Sequence, residues 1–225
     1  MHPDFKKNGY LISRSFFDNR TIALAQSYFD LKYRLINFSD ENRATKTIIG
    51  DTNRLANSFC FYGDTLTESI LLNYGQKVSE LLNINLSPTY SYTRIYEKDD
   101  FLIPHLDRPS CEVSASCPIT CFNNAPSKIF ISNYKFDRTQ DIYRNQTVVE
   151  IEARGDYTEV ELYPGDALFY NGCERYHWRR PLSDDYLVQF FMHFVETNGI
   201  NKDLYFDTRP YLGFPESYAS NSKRR

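Results

Sequence analysis

Histidine, methionine and tryptophan are scarce in this chain: its 225 residues include four His, two Met and a single Trp. Any site built on imidazole must therefore draw on His2, His105, His177 and His193. Positive charge is not in excess either. The formal net charge of -3 gives no field to gather nucleic acid non-specifically, so no nucleic-acid partner is expected. No apolar run reaches the roughly 18 residues that a membrane-spanning helix needs, so no membrane partner is expected. Met1–Lys7 lacks the apolar stretch of a secretory signal, which points to a cytoplasmic protein. There the Asn-x-Ser/Thr triplets at Asn19, Asn37, Asn85 and Asn145 go unused, and the five cysteines stay reduced. Tight C-x2-C pairs are missing too. Cys111, Cys117 and Cys121 run C-x5-C-x3-C, which departs from structural zinc sites and reads as small buried residues on or beside a strand.

Aromatic residues are abundant instead, with 18 Tyr and 17 Phe, and these favour half-buried pleated surfaces. No repeat, low-complexity stretch or linker divides the chain, so residues 1–225 are read as a single domain. A short strand and turn is expected over 9–17. Asp18 or Asn19 is placed to cap a helix that starts near Thr21 and carries Ile22, Leu24, Ala25, Tyr28, Phe29 and Leu31. Residues 42–58 are polar and read as a loop. A second helix is predicted over Thr65–Leu82, with Leu66, Ile70, Leu71, Tyr74, Val78, Leu81 and Leu82 at helical spacing.

From Pro88 the period shortens. Strand-like runs follow at Thr89–Tyr96, Glu112–Ile119, Lys128–Ser132, Thr147–Ala153, Tyr157–Leu162, Ala167–Tyr170, Tyr176–Arg179 and Tyr186–Val195. The class is therefore mainly β (α+β): a helical preface over residues 1–87, a sandwich or jelly-roll core over 88–196, and a wrap over 197–225 that docks through Tyr205, Phe206, Tyr211 and Phe214. The terminal Lys223-Arg224-Arg225 reads as a solvated tail.

His105-Leu106-Asp107 is an H-x-D triplet. On a strand or extended edge, residues i and i+2 point to one side, so an imidazole and a carboxylate aim at one place. Two histidines and one carboxylate on one face of a metal leave positions for a chelating co-substrate and dioxygen, and iron(II) accepts that donor set. His177 and His193 are the candidates for the third ligand. Further along, Leu162-Tyr163-Pro164-Gly165-Asp166-Ala167-Leu168-Phe169-Tyr170 reads as a tight turn feeding a buried strand. His177 follows after the turn at Asn171-Gly172.

With Pro88–Tyr96, His105–Glu112 and His177-Trp178-Arg179, these motifs resemble, in order and context, the iron(II)- and 2-oxoglutarate-dependent dioxygenases. The likeness is to the prolyl-4-hydroxylase-like branch, small members of unassigned substrate included, and covers residues 60–195 best. The resemblance implies a double-stranded β-helix (jelly roll) with the N-terminal helices packed on the outer sheet. It implies iron(II) held by His105, Asp107 and His177, with His193 a core or pocket residue. It implies use of 2-oxoglutarate and O2, with ascorbate as an accessory reductant, and hydroxylation coupled to decarboxylation to succinate. Related halogenases lack the carboxylate of the triplet, so Asp107 favours hydroxylation. The prime substrate would be a peptidyl proline or a small molecule.

One family feature is missing. Many members place an Arg or Lys for the far carboxylate of 2-oxoglutarate where this chain has Leu187, flanked by Tyr186 and Val188. Arg179, two residues beyond His177 on the same face, is the leading substitute, with Lys128 and Arg94 as rivals. Tyr96 and Tyr92 are candidate hydroxyl donors to the same ligand. Arg108 and Glu112 either line the substrate mouth or form a local salt bridge and turn. Trp178 points away and packs between sheet and helix. The alternatives are a catalytically inactive module, or a cupin-like metal-binding protein that does not use 2-oxoglutarate; cupins usually employ more histidines. The oligomeric state is not legible in the sequence.

Overall fold

The structure is a computed structural model that describes residues 1–38, 58–121, 125–136 and 148–219. The polar stretch 42–57 and the terminal basic cluster lie outside these residues. Helices form where the sequence places caps and apolar spacing together. The first, α1 (Pro3–Asn8), has proline in its opening turn and ends on Gly9, whose φ of 74° is left-handed. The Asp18 side chain accepts the backbone N–H groups of Arg20 and Thr21, 2.9 Å each, and opens α2 (Asn19–Asn37). Asp64 accepts from the Leu66 N–H at 3.0 Å and opens α3 (Thr65–Leu82), which Asn83 closes with φ 52°.

Among the described residues, ten strands form two antiparallel sheets. The larger has six in spatial order β1 (Tyr10–Ser13), β8 (Ala167–Tyr170), β5 (Val113–Cys121), β10 (Tyr186–Glu196), β3 (Leu86–Glu97) and β2 (Phe59–Tyr62). The smaller runs β4 (Leu102–His105), β9 (His177–Arg179), β6 (Ser127–Ser132) and β7 (Tyr157–Leu162). The preface is thus not only helical: it supplies both edge strands of the larger sheet, β1 and β2.

Alternation divides the larger sheet into two chemically different faces. Ile95, Val113, Ala115, Cys117, Phe169, Val188, Phe190, Met192 and Phe194 meet Phe29 of α2 and Leu71, Val78 and Leu82 of α3 in one buried cluster. Each fully buried phenylalanine there contributes about 1.5–3 kcal/mol. The helices therefore pack on the outer face of the larger sheet. The inner face carries Leu168 and Tyr170, which join Ile129, Ile131, Val160 and Leu162 of the smaller sheet. It also carries an unusual set of polar residues on β3, β5 and β10, and these line the site.

Two elements differ from the reading of the sequence. Within 147–153, residues Val148–Glu152 form a short helix, α4, rather than a strand. Ile151 of that helix packs with Phe130, Tyr176 and Trp178 on the outside of the smaller sheet, so the apolar residues that suggested a strand cover one. Of the four aromatics expected to dock the C-terminal segment, only Phe206 packs against the large apolar cluster, beside buried Leu212. Tyr205, Tyr211 and Phe214 are exposed, and the segment is tied down by Asp207 and Arg209. Among the described residues no helix is long and apolar enough to cross a membrane.

Candidate metal centre

Strands β4 and β9 are antiparallel neighbours, with His105 directly opposite His177 and the two rings 4.2 Å apart. The Nδ1 atom of His105 lies 2.9 Å from the Ile103 carbonyl, and that of His177 lies 3.0 Å from the Arg175 carbonyl. A carbonyl only accepts, so each Nδ1 carries the proton and each Nε2 presents its lone pair as the ligand atom. Asp107 follows β4 and is anchored by its N–H to the Gly172 carbonyl, 2.8 Å away. Its Oδ1 lies 3.6 Å from His105 Nε2 and 3.5 Å from His177 Nε2. The three ligand atoms fall within 4.8 Å of one another and could hold a metal ion. Burial penalises the Asp107 carboxylate, but the two imidazoles outweigh it and hold the group well below the usual carboxylate range.

The donor chemistry fits a divalent iron site: two imidazoles and one ionised carboxylate on one side, the outer nitrogen of each ring already engaged by a backbone carbonyl. The second carboxylate oxygen, Oδ2, accepts from the Ser114 hydroxyl at 2.9 Å. The same hydroxyl lies 2.9 Å from Nδ1 of His193. Burial lowers His193 to about 4, which leaves it neutral near pH 7. Asp107, Cys111 and His193 make a second grouping of possible ligand atoms. There the Ser114 hydroxyl already engages both Asp107 and His193, and burial pushes the Cys111 thiol well up, so it stays protonated.

The motifs flanking the triplet have clear local roles. At the Pro164-Gly165-Asp166 turn, Gly165 takes φ 98°, and the Asp166 carboxylate accepts from the N–H groups of Tyr163 and Ser15, 3.0 Å each, and from Arg14 at 2.7 Å. That clamp joins β1 to the start of β8. At the other end of β8, the Tyr170 ring packs 4.6 Å from the ring of His177.

Arg179 shares the inward face of β9 with His177. Only 4% of it is exposed, and its partners are neutral: the Lys128 carbonyl at 2.5 Å, Ser127 Oγ at 3.1 Å and Gln189 Oε1 at 3.2 Å. Among the described residues no carboxylate pairs with it. Its guanidinium lies 5.2 Å from the centre of the Tyr96 ring. The buried Tyr96 hydroxyl has no hydrogen-bond partner among the described residues. Burial raises that hydroxyl above the ordinary tyrosine range, against the pull of Arg94 and Arg179. A buried cation without a carboxylate, beside an unsatisfied hydroxyl, is a costly arrangement unless an anion completes it.

The other candidates separate. Arg94 and Tyr92 are on the inner face of β3 with Tyr96. The Arg94 guanidinium lies over the Tyr92 ring at 5.0 Å and within 3.5 Å of Ser58 Oγ and Cys60 Sγ. Lys128 does not reach the site. It sits on the outward face of β6, half exposed, paired with Glu159 at 2.7 Å and Glu161 at 3.1 Å. A one-residue step along the strand accounts for this, because Ser127 and Ile129 take the inward positions. Arg108 forms a two-pronged ion pair with Asp207, 2.7 Å per contact, and covers the Tyr90 ring. The Glu112 carboxylate accepts from the Glu196 N–H at 3.0 Å, at the end of β10. For both residues the structure shows tethers to distant parts of the chain, the C-terminal segment and the end of β10, rather than a local salt bridge. Sequence reasoning missed Ser114, Ser127, Gln189 and Gly172. The alternation that puts Gln189 on the His193 face is the one signal that could have found Gln189.

No family model and no curated protein matches the sequence. Solved structures do match. A prolyl-4-hydroxylase from Pseudomonas putida aligns at a TM-score of 0.54 and 16% identity, over 84% of this chain and 94% of that one. HygX from Streptomyces hygroscopicus, solved with nickel, 2-oxoglutarate and hygromycin B bound, aligns at 0.54 and 14%, over 84% of each chain. SnoK, a non-heme alpha-ketoglutarate-dependent carbocyclase of nogalamycin biosynthesis, aligns at 0.60 and 10%, over 84% of this chain and 81% of that one. At such identities the likeness is one of fold alone, and this chain shares that fold with these three proteins.

Proposed function

We propose that the protein is an iron(II)- and 2-oxoglutarate-dependent oxygenase that hydroxylates an unactivated carbon, its two sheets forming a double-stranded β-helix around the metal. The observation that carries this reading is the pairing of two features on one strand face. His177, facing His105 and Asp107, stands two residues from Arg179, a buried cation with only neutral partners. That spacing is about 7 Å along a strand, suited to a short dicarboxylate gripped at both ends.

In this reading His105, Asp107 and His177 hold the metal, with both imidazoles fixed in one tautomer by backbone carbonyls. Arg179 takes the far carboxylate with its planar fork, and Ser127 and Gln189 hold that fork in place. The Tyr96 hydroxyl donates to the same carboxylate. Arg179 thus replaces the cation that Leu187 cannot supply. Arg94 and Tyr92, further along the inner face, belong to the pocket wall. With iron(II), 2-oxoglutarate and dioxygen bound, the site would oxidise a substrate C–H bond while decarboxylating 2-oxoglutarate to succinate. The residues of this chain bind, orient and shield those groups. Substrate class rests on the neighbours: one is a prolyl-4-hydroxylase and another holds hygromycin B, so a peptide or a small polar molecule is in view.

The test is turnover. Purified protein with iron(II), ascorbate and 2-oxoglutarate under air should form succinate even without its prime substrate. The His105→Ala and Asp107→Ala variants should form none above the protein-free background. Equal succinate from wild type and both variants contradicts the proposal.

A further inference from the structure

We infer that His193 and Ser114 form a relay that holds Asp107 so that it offers one oxygen, not two, to the metal; His193 is then a positioning residue and not a ligand. This rests on the metal reading above. Oδ1 of Asp107 faces both imidazole Nε2 atoms, while Oδ2 accepts from Ser114. A carboxylate and a carbonyl can only accept, so the single hydroxyl proton of Ser114 goes to the nearer and charged of its two acceptors, Asp107 at 2.9 Å, rather than to the Cys111 carbonyl at 3.3 Å. The Ser114 oxygen must then accept from Nδ1–H of His193, 2.9 Å away. The chain of donors runs one way, His193 to Ser114 to Asp107.

Each member is held from outside. The His193 ring is 6% exposed and lies between Tyr90, at 4.6 Å between ring centres, and Phe191, at 6.4 Å and nearly parallel. Ser114 and His193 are opposite one another on paired strands, so the sheet fixes their separation. Behind Asp107 stands Gly172. A Cβ at that position would lie 2.4 Å from Oδ2 and 2.8 Å from Ser114 Oγ, so only glycine allows the approach. Oδ2 is therefore enclosed by Ser114 and Gly172, and the carboxylate cannot swing to present both oxygens. A carboxylate free to chelate would take up a position that the co-substrate or dioxygen needs. A relay that occupies Oδ2 keeps that position open and fixes the aim of Oδ1.

The experiment is cobalt(II) binding to the full-length metal-free chain, read by calorimetry and by visible absorption of the bound ion. His193→Phe removes the donor and keeps a ring. It should weaken cobalt by about 10–100-fold and change the absorption spectrum. His193→Asn places an amide N–H where Nδ1–H was, and should recover most of the affinity and the wild-type spectrum. Ser114→Ala should resemble His193→Phe, and combining the two should cost little more, because one relay has been cut twice. The relay is overturned if His193→Phe binds cobalt as wild type does. It is overturned equally if His193→Asn is as weak as His193→Phe, which makes the imidazole itself the ligand. Should His193→Phe fail to fold, Ser114→Ala against His193→Asn decides the matter in the same way. If His105→Ala binds cobalt as tightly as wild type, the metal site itself is misplaced, an outcome distinct from failure of the relay.

Discussion

At the scale of single residues, Gly172 shows how an unremarkable position constrains chemistry. Its backbone carbonyl fixes the N–H of Asp107, and its missing side chain leaves room for the carboxylate. Gly172→Ala should therefore lower divalent-metal affinity at least about tenfold, the scale of losing an outer partner of a metal ligand. Calorimetric titration of the metal-free variant checks this, and unchanged affinity contradicts the assigned geometry. The residue-scale record of the sequence is uneven for a physical reason. His105 and Asp107 were legible because two-residue spacing on an extended chain fixes a shared side. Arg179 was legible in the same way from His177. Ser114, Ser127 and Gln189 were not, because serine and glutamine carry no chemistry that marks them until a fold brings partners within 3 Å. Lys128 was misplaced by one step of a strand, the smallest error that turns a side chain outward.

At the scale of elements, both long helices could be read closely because their apolar residues keep helical spacing, and Asp18 marked the start of α2; the Asp64 cap of α3 emerged only in the structure. The strand expected at 147–153 became α4 because five residues rich in Val and Ile do not distinguish a strand from one helical turn covering Trp178. Strand β4 was hard to see, having four residues with Pro104 among them. The C-terminal element is a further case. Phe206, Asp207 and Thr208 all adopt left-handed backbone, φ 51°, 54° and 64°, at roughly 1–2 kcal/mol each. The ion pair of Asp207 with Arg108, and its bonds from Ser110 and Tyr62 at 2.7 Å each, offset that strain. Burial alone would raise the Asp207 carboxyl, but Arg108 and the two hydroxyls hold it below the ordinary value of 3.8. A carboxyl lowered in the folded state stabilises it above the unfolded pKa and loses that contribution as pH falls below about 3.8. Asp207→Asn should thus cost on the order of 1–2 kcal/mol of stability at pH 7 once solvent at Arg108 is allowed for, read as a lower melting temperature. It should also flatten the acid limb below pH 3.8. A variant whose melting profile overlays wild type from pH 7 to pH 3 contradicts this account of the segment.

At the scale of the whole molecule, the two faces of the larger sheet divide the labour. The outer face takes the helices in an apolar cluster, and the inner face presents Tyr90, Tyr92, Arg94, Tyr96, Gln189 and His193 on β3 and β10. The order of strands from the sequence suffices to anticipate two packed sheets. The polar inner face was not anticipated as a surface, since alternation shows which residues share a side but not which side is covered. The central claim is that one pocket holds a metal at His105, Asp107 and His177 and a dicarboxylate at Arg179. It is tested most directly by calorimetry of 2-oxoglutarate binding to the full chain, with redox-inert nickel(II) and without metal, for wild type, Asp107→Ala and Arg179→Leu. The account predicts binding only when nickel is present, loss of that binding in Asp107→Ala, and nickel affinity retained but 2-oxoglutarate affinity reduced at least about tenfold in Arg179→Leu, as for a lost charge-assisted pair. Binding of 2-oxoglutarate that ignores the metal, or that Arg179→Leu leaves unchanged, would contradict it.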